Sequence, residues 1–429
     1  MPKDLQFPEM QEINFHATDQ LSELLDRQNS QAIETAARLT EKIPSKDILS
    51  LLLQPQSTVS VTPSLGSANH DIFNLGIGYR KIGFGQCGLV FSKPGTTTVI
   101  KVSRPHFHEG LWNDFLCHLR VYRAFNKQTI QPECLLPLVY TFISKTDATW
   151  WDANKPLFME RSSTFPLPSM GLVTQRIPQL PQVLRHALID IYCPESLKED
   201  VISNPTNRDC LLRIYLGRRR NSNAPPPPNF SLRNYNLCLD QMIDLDLPVK
   251  KYATDIAEAL AIIHWAAHVD AYDVEFVLGG EIGSAHTQQA TDILSQQIPV
   301  LEEAEPGYSN TILLPQRTHR MWILDFNLCN RWSEKALLER PEDVISQLVL
   351  AFFENDPYYP LPEMDSEVDK DLWSTFSKEY LRKANEVLMK SVYYIETRHL
   401  PEYFIDQCVA RERKNIALGL GHGHRDFKG

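Results

Sequence analysis

The sequence lacks the paired cysteines of a zinc site. None of its eight cysteines lies within four residues of another, so no CxxC half-site is present. Scattered thiols are typical of small core residues in a reducing compartment, which predicts a cytoplasmic protein without a metal site. Long hydrophobic runs are missing as well: no stretch of 18 apolar residues occurs, and the first residues lack the apolar core of a signal peptide. We therefore expect no membrane partner.

An excess of positive charge is also missing. The formal net charge of −10 gives no global attraction to nucleic acid or to an anionic membrane, so a polyanionic partner needs a local basic patch. Hydrophobic residues make up 43% of the 429 residues and charged residues 22%, which is typical of a globular protein with a substantial core.

Changes in composition divide the chain into three segments. Residues 1–70 are predicted to be a helical extension, with one periodic helix over 31–53, and a linker. Residues 71–178 contain short apolar runs separated by glycines, which predicts strands, and residues 179–429 are mostly helical. Two loops are predicted as insertions in the helical part, at about 217–232 and 279–319.

The first stretch with chemical potential is KIGFGQCGLVF, in which Gly83, Gly85 and Gly88 form a GxGxxG pattern. A β-branched strand that carries Lys101 follows. A glycine hairpin lets backbone amides approach a polyphosphate, and the strand lysine supplies a positive charge. The alternative is a tight hairpin without a ligand. Asp114, on the next predicted helix, is a candidate partner for Lys101 or a solvated charge at a helix start.

The second stretch, HVDAYDVEFVL, follows an apolar helix and resembles the protein-kinase catalytic loop HRDxxxxN. It places His268 and Asp270 on the kinase His and Asp, and Glu275 on the kinase Asn. Three acids, Asp270, Asp273 and Glu275, therefore share one short loop. The alternative is a surface turn with solvated carboxylates.

The third stretch, WILDFN, delivers Asp325 after an apolar run and resembles the kinase DFG. The order of glycine loop, strand lysine, HxD loop and DFx predicts an α+β, protein-kinase-like fold of two lobes, with an antiparallel N-lobe sheet and a helical C-lobe. The catalytic-loop arginine and the APE motif are missing. These departures argue against phosphorylation of protein substrates and leave small-molecule phosphotransfer open.

The fourth stretch, RIYLGRRR, is the dense basic stretch of this acidic chain. It contains Arg213, Arg218, Arg219 and Arg220. Such a stretch suits the phosphates of a nucleic acid, and the alternative is a solvated loop beside a proline run.

Several long phrases, among them DCLLRIYLGRRR, IHWAAHVDAYDVEFVLG, WILDFNLCNRW and LVLAFFENDPYYP, resemble a fungal family of domains of unknown function that is often labelled zinc finger protein. The resemblance covers residues 70–425, and the family that the chain resembles includes arginine-containing cyclodipeptide synthases. It implies synthesis of cyclo(Arg-Xaa) in secondary metabolism from two aminoacyl-tRNAs, Arg-tRNA and a second charged tRNA. It implies neither a DNA partner nor a required cofactor.

That chemistry needs a general base for an α-amine and a pocket that orients two esters. We expect Asp270 to be the base, with His268 and Asp325 completing the catalytic set. Asp273 and Glu275 are expected to receive the guanidinium, because a carboxylate pair matches its planar donors.

The glycine loop with Lys101 and Asp114, together with the basic stretch, is expected to hold substrate and tRNA phosphates. Cys87 is a candidate acyl-carrying nucleophile, and its alternative role is packing. Two other functions stay open: a phosphotransferase that uses Mg²⁺ and ATP through Lys101, Asp270 and Asp325, and a pseudokinase that only binds partners.

Overall fold

The structure is a computed structural model with an α+β fold, which confirms the predicted class. It describes residues 43–54, 78–93, 96–158, 166–220, 229–280 and 319–420. Residues 31–42 of the predicted first helix, residues 221–228 of the first predicted insertion and residues 281–318 of the second lie outside these ranges.

An antiparallel sheet of five strands forms the first part of the fold. Its strands are β1 (Arg80–Phe84), β2 (Gly88–Ser92), β3 (Thr98–Ser103), β4 (Val139–Ile143) and β5 (Gly171–Gln175), in the spatial order β1-β2-β3-β5-β4. On β3, Ile100 and Val102 are buried in the sheet's own core. Lys101 lies between them in sequence, so the period of two along a strand directs its side chain to the opposite face.

The helical part holds most of the core. The α-helices of both parts are numbered together along the chain. They are α1 (Ser45–Leu52), α2 (His108–Asn126), α3 (Ala148–Asn154), α4 (Gln182–Tyr192), α5 (Lys198–Ser203), α6 (Leu239–Asp244), α7 (Val249–Trp265), α8 (Glu334–Glu339), α9 (Pro341–Glu354), α10 (Glu367–Leu388), α11 (Tyr394–Thr397) and α12 (Leu400–Ala417). Helix α7 is buried over most of its surface, and among its less buried positions Lys250, Thr254 and Glu258 form a narrow polar stripe at i, i+4 and i+8. The separate cores of sheet and helices are compatible with a two-lobed fold.

A second sheet of four strands lies in the helical part. It consists of β6 (Leu212–Tyr215), β7 (Tyr235–Cys238), β8 (Glu275–Gly280) and β9 (His319–Leu324), in the order β7-β6-β8-β9. Strand β6 runs parallel to β7 and antiparallel to β8. In this register Arg213 lies opposite Val277, which brings the start of the basic stretch beside the predicted catalytic loop.

Helix α2 links the two parts. Leu111, Cys117, Val121 and Phe125 are buried at spacings that follow one face of a helix. Asp114 is buried on the same face. A buried carboxylate among apolar side chains needs a partner, so this position predicts an ion pair.

Helix α1 belongs to the core of the helical part. Leu49 and Leu53 are fully buried, and the Leu53 carbonyl accepts a hydrogen bond of 2.8 Å from the Tyr252 hydroxyl. Residues 43–54 are therefore integrated into the fold, although the sequence predicted them as part of a separate extension over 1–70.

No helix in the described ranges is long and apolar enough to cross a membrane.

Candidate functional site

Lys101 lies between two carboxylates from different elements. Its Nζ is 2.7 Å from Asp114 Oδ2 on α2 and 2.7 Å from Asp325 Oδ1, which follows β9. Burial alone lowers the pKa of Lys101, but Asp114 and Asp325 outweigh this effect and hold it well above its ordinary value. The lysine is therefore a fixed cation that joins the sheet to the helical part. The structure shows the candidate pair of Lys101 and Asp114 and adds Asp325 to it.

Asp114 has a second contact that fixes its position. Its Oδ1 accepts a hydrogen bond of 3.1 Å from the backbone N–H of Phe326, the residue after Asp325. Asp325 itself has a left-handed backbone with φ of 64°. A non-glycine residue in that conformation is strained and needs support from its surroundings. Asp114 supplies such support directly through the Phe326 N–H and indirectly through Lys101, which contacts the Asp325 carboxylate.

The glycine stretch forms the hairpin between β1 and β2, closed by a hydrogen bond of 2.9 Å from Gly85 N–H to the Gly88 carbonyl. A Cβ on Gly88 would lie 2.4 Å from the Val102 carbonyl oxygen, so this glycine is required by sheet packing. A Cβ on Gly83 would lie 3.0 Å from Val90 Cβ, a tight contact. A Cβ on Gly85 would meet nothing within 4 Å. Gly85 is therefore the position of the three that leaves room for a ligand.

The cysteines are poor candidates for a nucleophile. All eight are free and buried. Burial raises the pKa of Cys87 to about 11, and its Sγ is 3.7 Å from the Phe107 carbonyl oxygen. A thiol with such a pKa stays protonated at neutral pH, whereas the thiolate is the reactive form. The geometry favours the packing role for Cys87.

Asp270 is saturated with hydrogen bonds. Its Oδ1 accepts from the backbone N–H groups of Tyr272 at 3.1 Å and Asn330 at 2.9 Å. Its Oδ2 accepts from the side-chain amides of Asn330 and Gln347, both at 3.0 Å. The residue is 2% exposed. Four donors occupy the lone pairs of this carboxylate, so the geometry favours a structural role in joining the loop to α9 and to the segment after β9.

Asp273, on the same loop, is in the opposite situation. It is partly exposed, and no hydrogen-bond partner of its carboxylate is found within the described residues. Its φ is 64°, in the left-handed region. Its pKa is raised to about 6, mainly by burial and further by Asp325 and Asp356, against a smaller lowering by Arg213 and Lys101. Asp273 is thus the available proton acceptor of the loop.

Glu275 is paired with Arg213, which the sequence assigned to a tRNA-binding patch. Arg213 donates through Nη2 to Glu275 Oε1 and through Nη1 to Asp356 Oδ2 at 3.0 Å. Tyr215 also donates its hydroxyl to Asp356, at 2.7 Å. Burial raises the pKa of Glu275, with Arg213 opposing it. The protein's own guanidinium occupies the carboxylate that was expected to receive a substrate.

His268 has an aromatic neighbour. Its ring stacks on Trp332 with centroids 4.2 Å apart, and burial lowers its pKa to about 4. The imidazole is therefore neutral at physiological pH. This packing places it against the helical core rather than among the carboxylates.

Arg219 and Arg220 of the basic stretch lie in ion pairs. Arg219 contacts both carboxylate oxygens of Asp369, at 2.8 and 3.0 Å, and Arg220 Nε lies 2.8 Å from Asp240 Oδ2. The Arg218 carbonyl accepts from Leu239 N–H. The Arg220 side chain is 50% exposed, so this pair is accessible to solvent, where ion pairs are weak and exchangeable.

Two residues of the site, Asn355 and Asp356, were missed by sequence reasoning. Asn355 Nδ2 donates to the Val274 carbonyl at 3.1 Å and the Ala271 carbonyl at 3.4 Å. The available signal was a polar pair that follows the apolar helix α9 and precedes Pro357, a turn pattern on which functional residues are common. Nothing local in that pattern indicated its target.

The site as a whole has more carboxylates than cationic side chains. We call the following carboxylates the acidic cluster: Asp114, Asp273, Glu275, Asp325 and Asp356. Lys101 and Arg213 are the cations paired with it. Within the described ranges, no group of three His, Cys, Asp or Glu side chains is arranged to hold a metal ion.

A family described as zinc finger protein, a domain of unknown function, matches residues 321–392. This agrees with the predicted resemblance to a family that carries that label. The matched segment runs from β9 into the residues after α10 and includes Asp325, Asn355 and Asp356. Among curated proteins, no significant match to this chain is found.

Proposed function

We propose that this protein is an aminoacyl-tRNA-dependent synthase of arginine-containing cyclodipeptides, built on a protein-kinase-like scaffold. The observation that carries the proposal is the unpaired, partly exposed carboxylate of Asp273 within the acidic cluster. Both cations of the site are already paired, so an incoming cation is favoured and an incoming polyphosphate is repelled.

The guanidinium or the α-ammonium of an arginyl ester matches this cluster. The acceptors are the carboxylate of Asp273 and the carboxylate oxygen of Asp325 that does not contact Lys101, since Glu275 is held by Arg213. A charge-assisted hydrogen bond of this kind contributes about 1.5–3 kcal/mol, enough to favour arginine over an uncharged side chain. Of the predicted pair Asp273 and Glu275, this assignment retains Asp273 and replaces Glu275 with Asp325.

The reaction requires no ATP and no redox step. The α-amine of one aminoacyl group attacks the ester carbonyl of the other, a C–N bond forms, and the C–O bond to the tRNA ribose breaks. The ribose oxygen leaves with a proton, and a second attack of the same kind closes the diketopiperazine. Asp273 accepts the proton from the ammonium, and a carboxyl group with a pKa near 6 suits that step at neutral pH. Asp270 then serves to fix the loop.

The tRNA partners, Arg-tRNA and a second charged tRNA, need a local basic surface because the chain is acidic. The solvent-exposed Arg220 with its neighbours Arg218 and Arg219 remains our candidate. Charged tRNAs are cytoplasmic, which is where we place the protein.

A phosphotransferase that uses Mg²⁺ and ATP is the second candidate. It is favoured by the contacts of Lys101 with Asp114 and Asp325 and by the order of the five strands, both of which resemble a kinase N-lobe. The saturated carboxylate of Asp270 weighs against it, because the corresponding kinase aspartate must accept a proton from the substrate hydroxyl.

The deciding experiment supplies purified protein with arginyl-tRNA and a mixture of other charged tRNAs, without ATP. We expect a cyclo(Arg-Xaa) product by mass spectrometry that disappears after RNase treatment and in Asp273→Asn. Phosphate transfer from ATP that is insensitive to RNase would instead establish the second candidate. A protein that binds tRNA or nucleotide without turnover would be a binding module.

A further inference from the structure

The loop that carries Asp273 is strained. Ala271 and Asp273 have φ of 59° and 64°, in the left-handed region that disfavours L-residues with a Cβ. Each such residue costs about 1–3 kcal/mol, so the turn exists only where the surroundings enforce it. Strain of this kind clusters at functional sites.

One side chain outside the loop contacts both ends of this turn. Asn355, directly after α9, donates through Nδ2 to the carbonyls of Ala271 and Val274, and also contacts the Tyr359 hydroxyl at 3.2 Å. Its own Oδ1 accepts from the Asp356 N–H at 2.8 Å, which fixes the amide orientation. Helix α9 is anchored in the core by Leu348 and Phe352, so Asn355 is held by a rigid element.

We infer that Asn355 is a positioning residue that enforces the left-handed turn from Ala271 to Val274 and thereby holds the Asp273 carboxylate in the acidic cluster. The geometry of the turn stands by itself, while the chemistry assigned to Asp273 rests on the proposed function. Asn355 also links Asp273 to Asp356. Asp356 is the next residue along the chain, and its carboxylate pairs with Arg213.

A positioning role differs from a merely stabilising one in what it changes. Asn355→Ala removes both donors to the loop, and Asn355→Asp replaces them with a carboxylate that faces two carbonyl oxygens. We expect both variants to lower kcat by about 100-fold, since a misplacement of about 1 Å has this effect, and to raise KM for the aminoacyl-tRNA as well, because Asp273 also receives the substrate cation. A stabilising role alone predicts a lower melting temperature and an unchanged kcat for the folded fraction.

The matched rescue uses glycine at the strained position. In Asn355→Ala, the additional change Ala271→Gly removes the cost of a positive φ and is expected to restore kcat by at least about fivefold. Ala271→Gly alone serves as control and should leave kcat within twofold of the wild type. A double variant no faster than Asn355→Ala would overturn the inference.

An activity-independent measurement separates this inference from the proposed function. Amide hydrogen exchange at Tyr272 and Val274, which donate to Asp270 Oδ1 and the Ala271 carbonyl, reports opening of the turn. We expect exchange at least tenfold faster in Asn355→Ala, with exchange in α7 unchanged. If the wild type makes no product, the proposed function fails while this result still decides the inference, and unchanged exchange overturns it.

Discussion

Lys101 and Asp325 are 224 positions apart in the chain, yet Lys101 Nζ lies 2.7 Å from Asp325 Oδ1. One residue belongs to the five-stranded sheet and the other follows the four-stranded sheet. With Asp114, which is almost fully buried, they form a cation between two anions. This contact ties the two parts of the fold at the site itself.

We predict that Lys101→Met destabilises the protein by about 3–5 kcal/mol, because it leaves the buried Asp114 carboxylate without its counter-ion. Urea unfolding at pH 7 measures the loss. Combining Lys101→Met with Asp114→Asn should recover a large part of it, since the uncompensated charge is then absent. A single variant within about 1 kcal/mol of the wild type would contradict the ion-pair interpretation.

The local parts of this site were predictable from sequence. A GxGxxG before a β-branched strand predicts the hairpin and the position of Lys101, and an acid after an apolar run predicts Asp325 at a strand end. These signals depend on neighbours in the chain, so they survive without knowledge of tertiary structure.

Apart from Lys101 with Asp114, the pairings within the site were not predictable. Arg213 looked like a surface arginine until the register of β6 and β8 placed it beside Glu275, 62 positions away. Asp270 looked like a base because motif position does not reveal that Asn330 and Gln347 fill its lone pairs. The hydrogen-bond partners of a buried side chain are often distant in the chain, so the neighbouring sequence does not reveal whether its acceptors are already occupied.

Asp270 and Asp273 should respond differently to the same substitution. Asp270→Asn turns two acceptor positions into donors that face existing donors, so we expect a loss of about 1–3 kcal/mol in the free energy of unfolding. Asp273→Asn should not lower that free energy, because a pKa raised to about 6 means that the ionised carboxylate is destabilising at neutral pH, and it should reduce product formation by about 10²–10⁴-fold. Urea unfolding and product assays on the same samples test both statements. Full activity in Asp273→Asn would return the role of base to Asp270.

Gly88 and Gly85 form a matched pair within one hairpin. Gly88→Ala brings a Cβ against the Val102 carbonyl and is expected to cost about 1–3 kcal/mol. Gly85→Ala meets open space, so its stability should stay within about 0.5 kcal/mol. If the hairpin tip contacts substrate, Gly85→Ala raises KM without a change in melting temperature. Equal melting temperatures for the two variants would refute the packing argument.

Arg220 and Asp240 test the tRNA surface. Arg220→Gln should weaken tRNA binding and make its salt dependence shallower by about 0.7–0.9 for each phosphate that the variant no longer neutralises. Asp240→Asn releases Arg220 from its ion pair and should tighten binding. Affinities measured between about 50 and 200 mM salt, roughly the range over which phosphate contacts are screened, distinguish the two variants. Identical slopes for wild type and both variants would remove Arg220 from the interface.

His118 gives a pH dependence whose sign follows from burial. The ring is 4% exposed, its Nε2 lies 2.9 Å from the Pro137 carbonyl oxygen, and burial lowers its pKa from 6.5 to about 4, against a smaller raising by Asp114. The unfolded chain takes up a proton below pH 6.5 while the folded ring stays neutral until about pH 4. The stabilising contribution of this histidine is therefore complete above pH 6.5 and is lost as the pH falls toward 4.

His118→Gln keeps a donor for the Pro137 carbonyl and cannot titrate. Between pH 7 and pH 5, the wild type should lose about 2 kcal/mol more of its free energy of unfolding than the variant loses. Asp255 and Asp273, whose pKa values are raised to about 6, act in the opposite sense, but they are present in both proteins and cancel in the difference. Urea unfolding of both proteins at the two pH values provides the measurement. Parallel losses would mean that His118 is protonated in the folded state as readily as in the unfolded chain, and would contradict the lowered pKa of the buried ring.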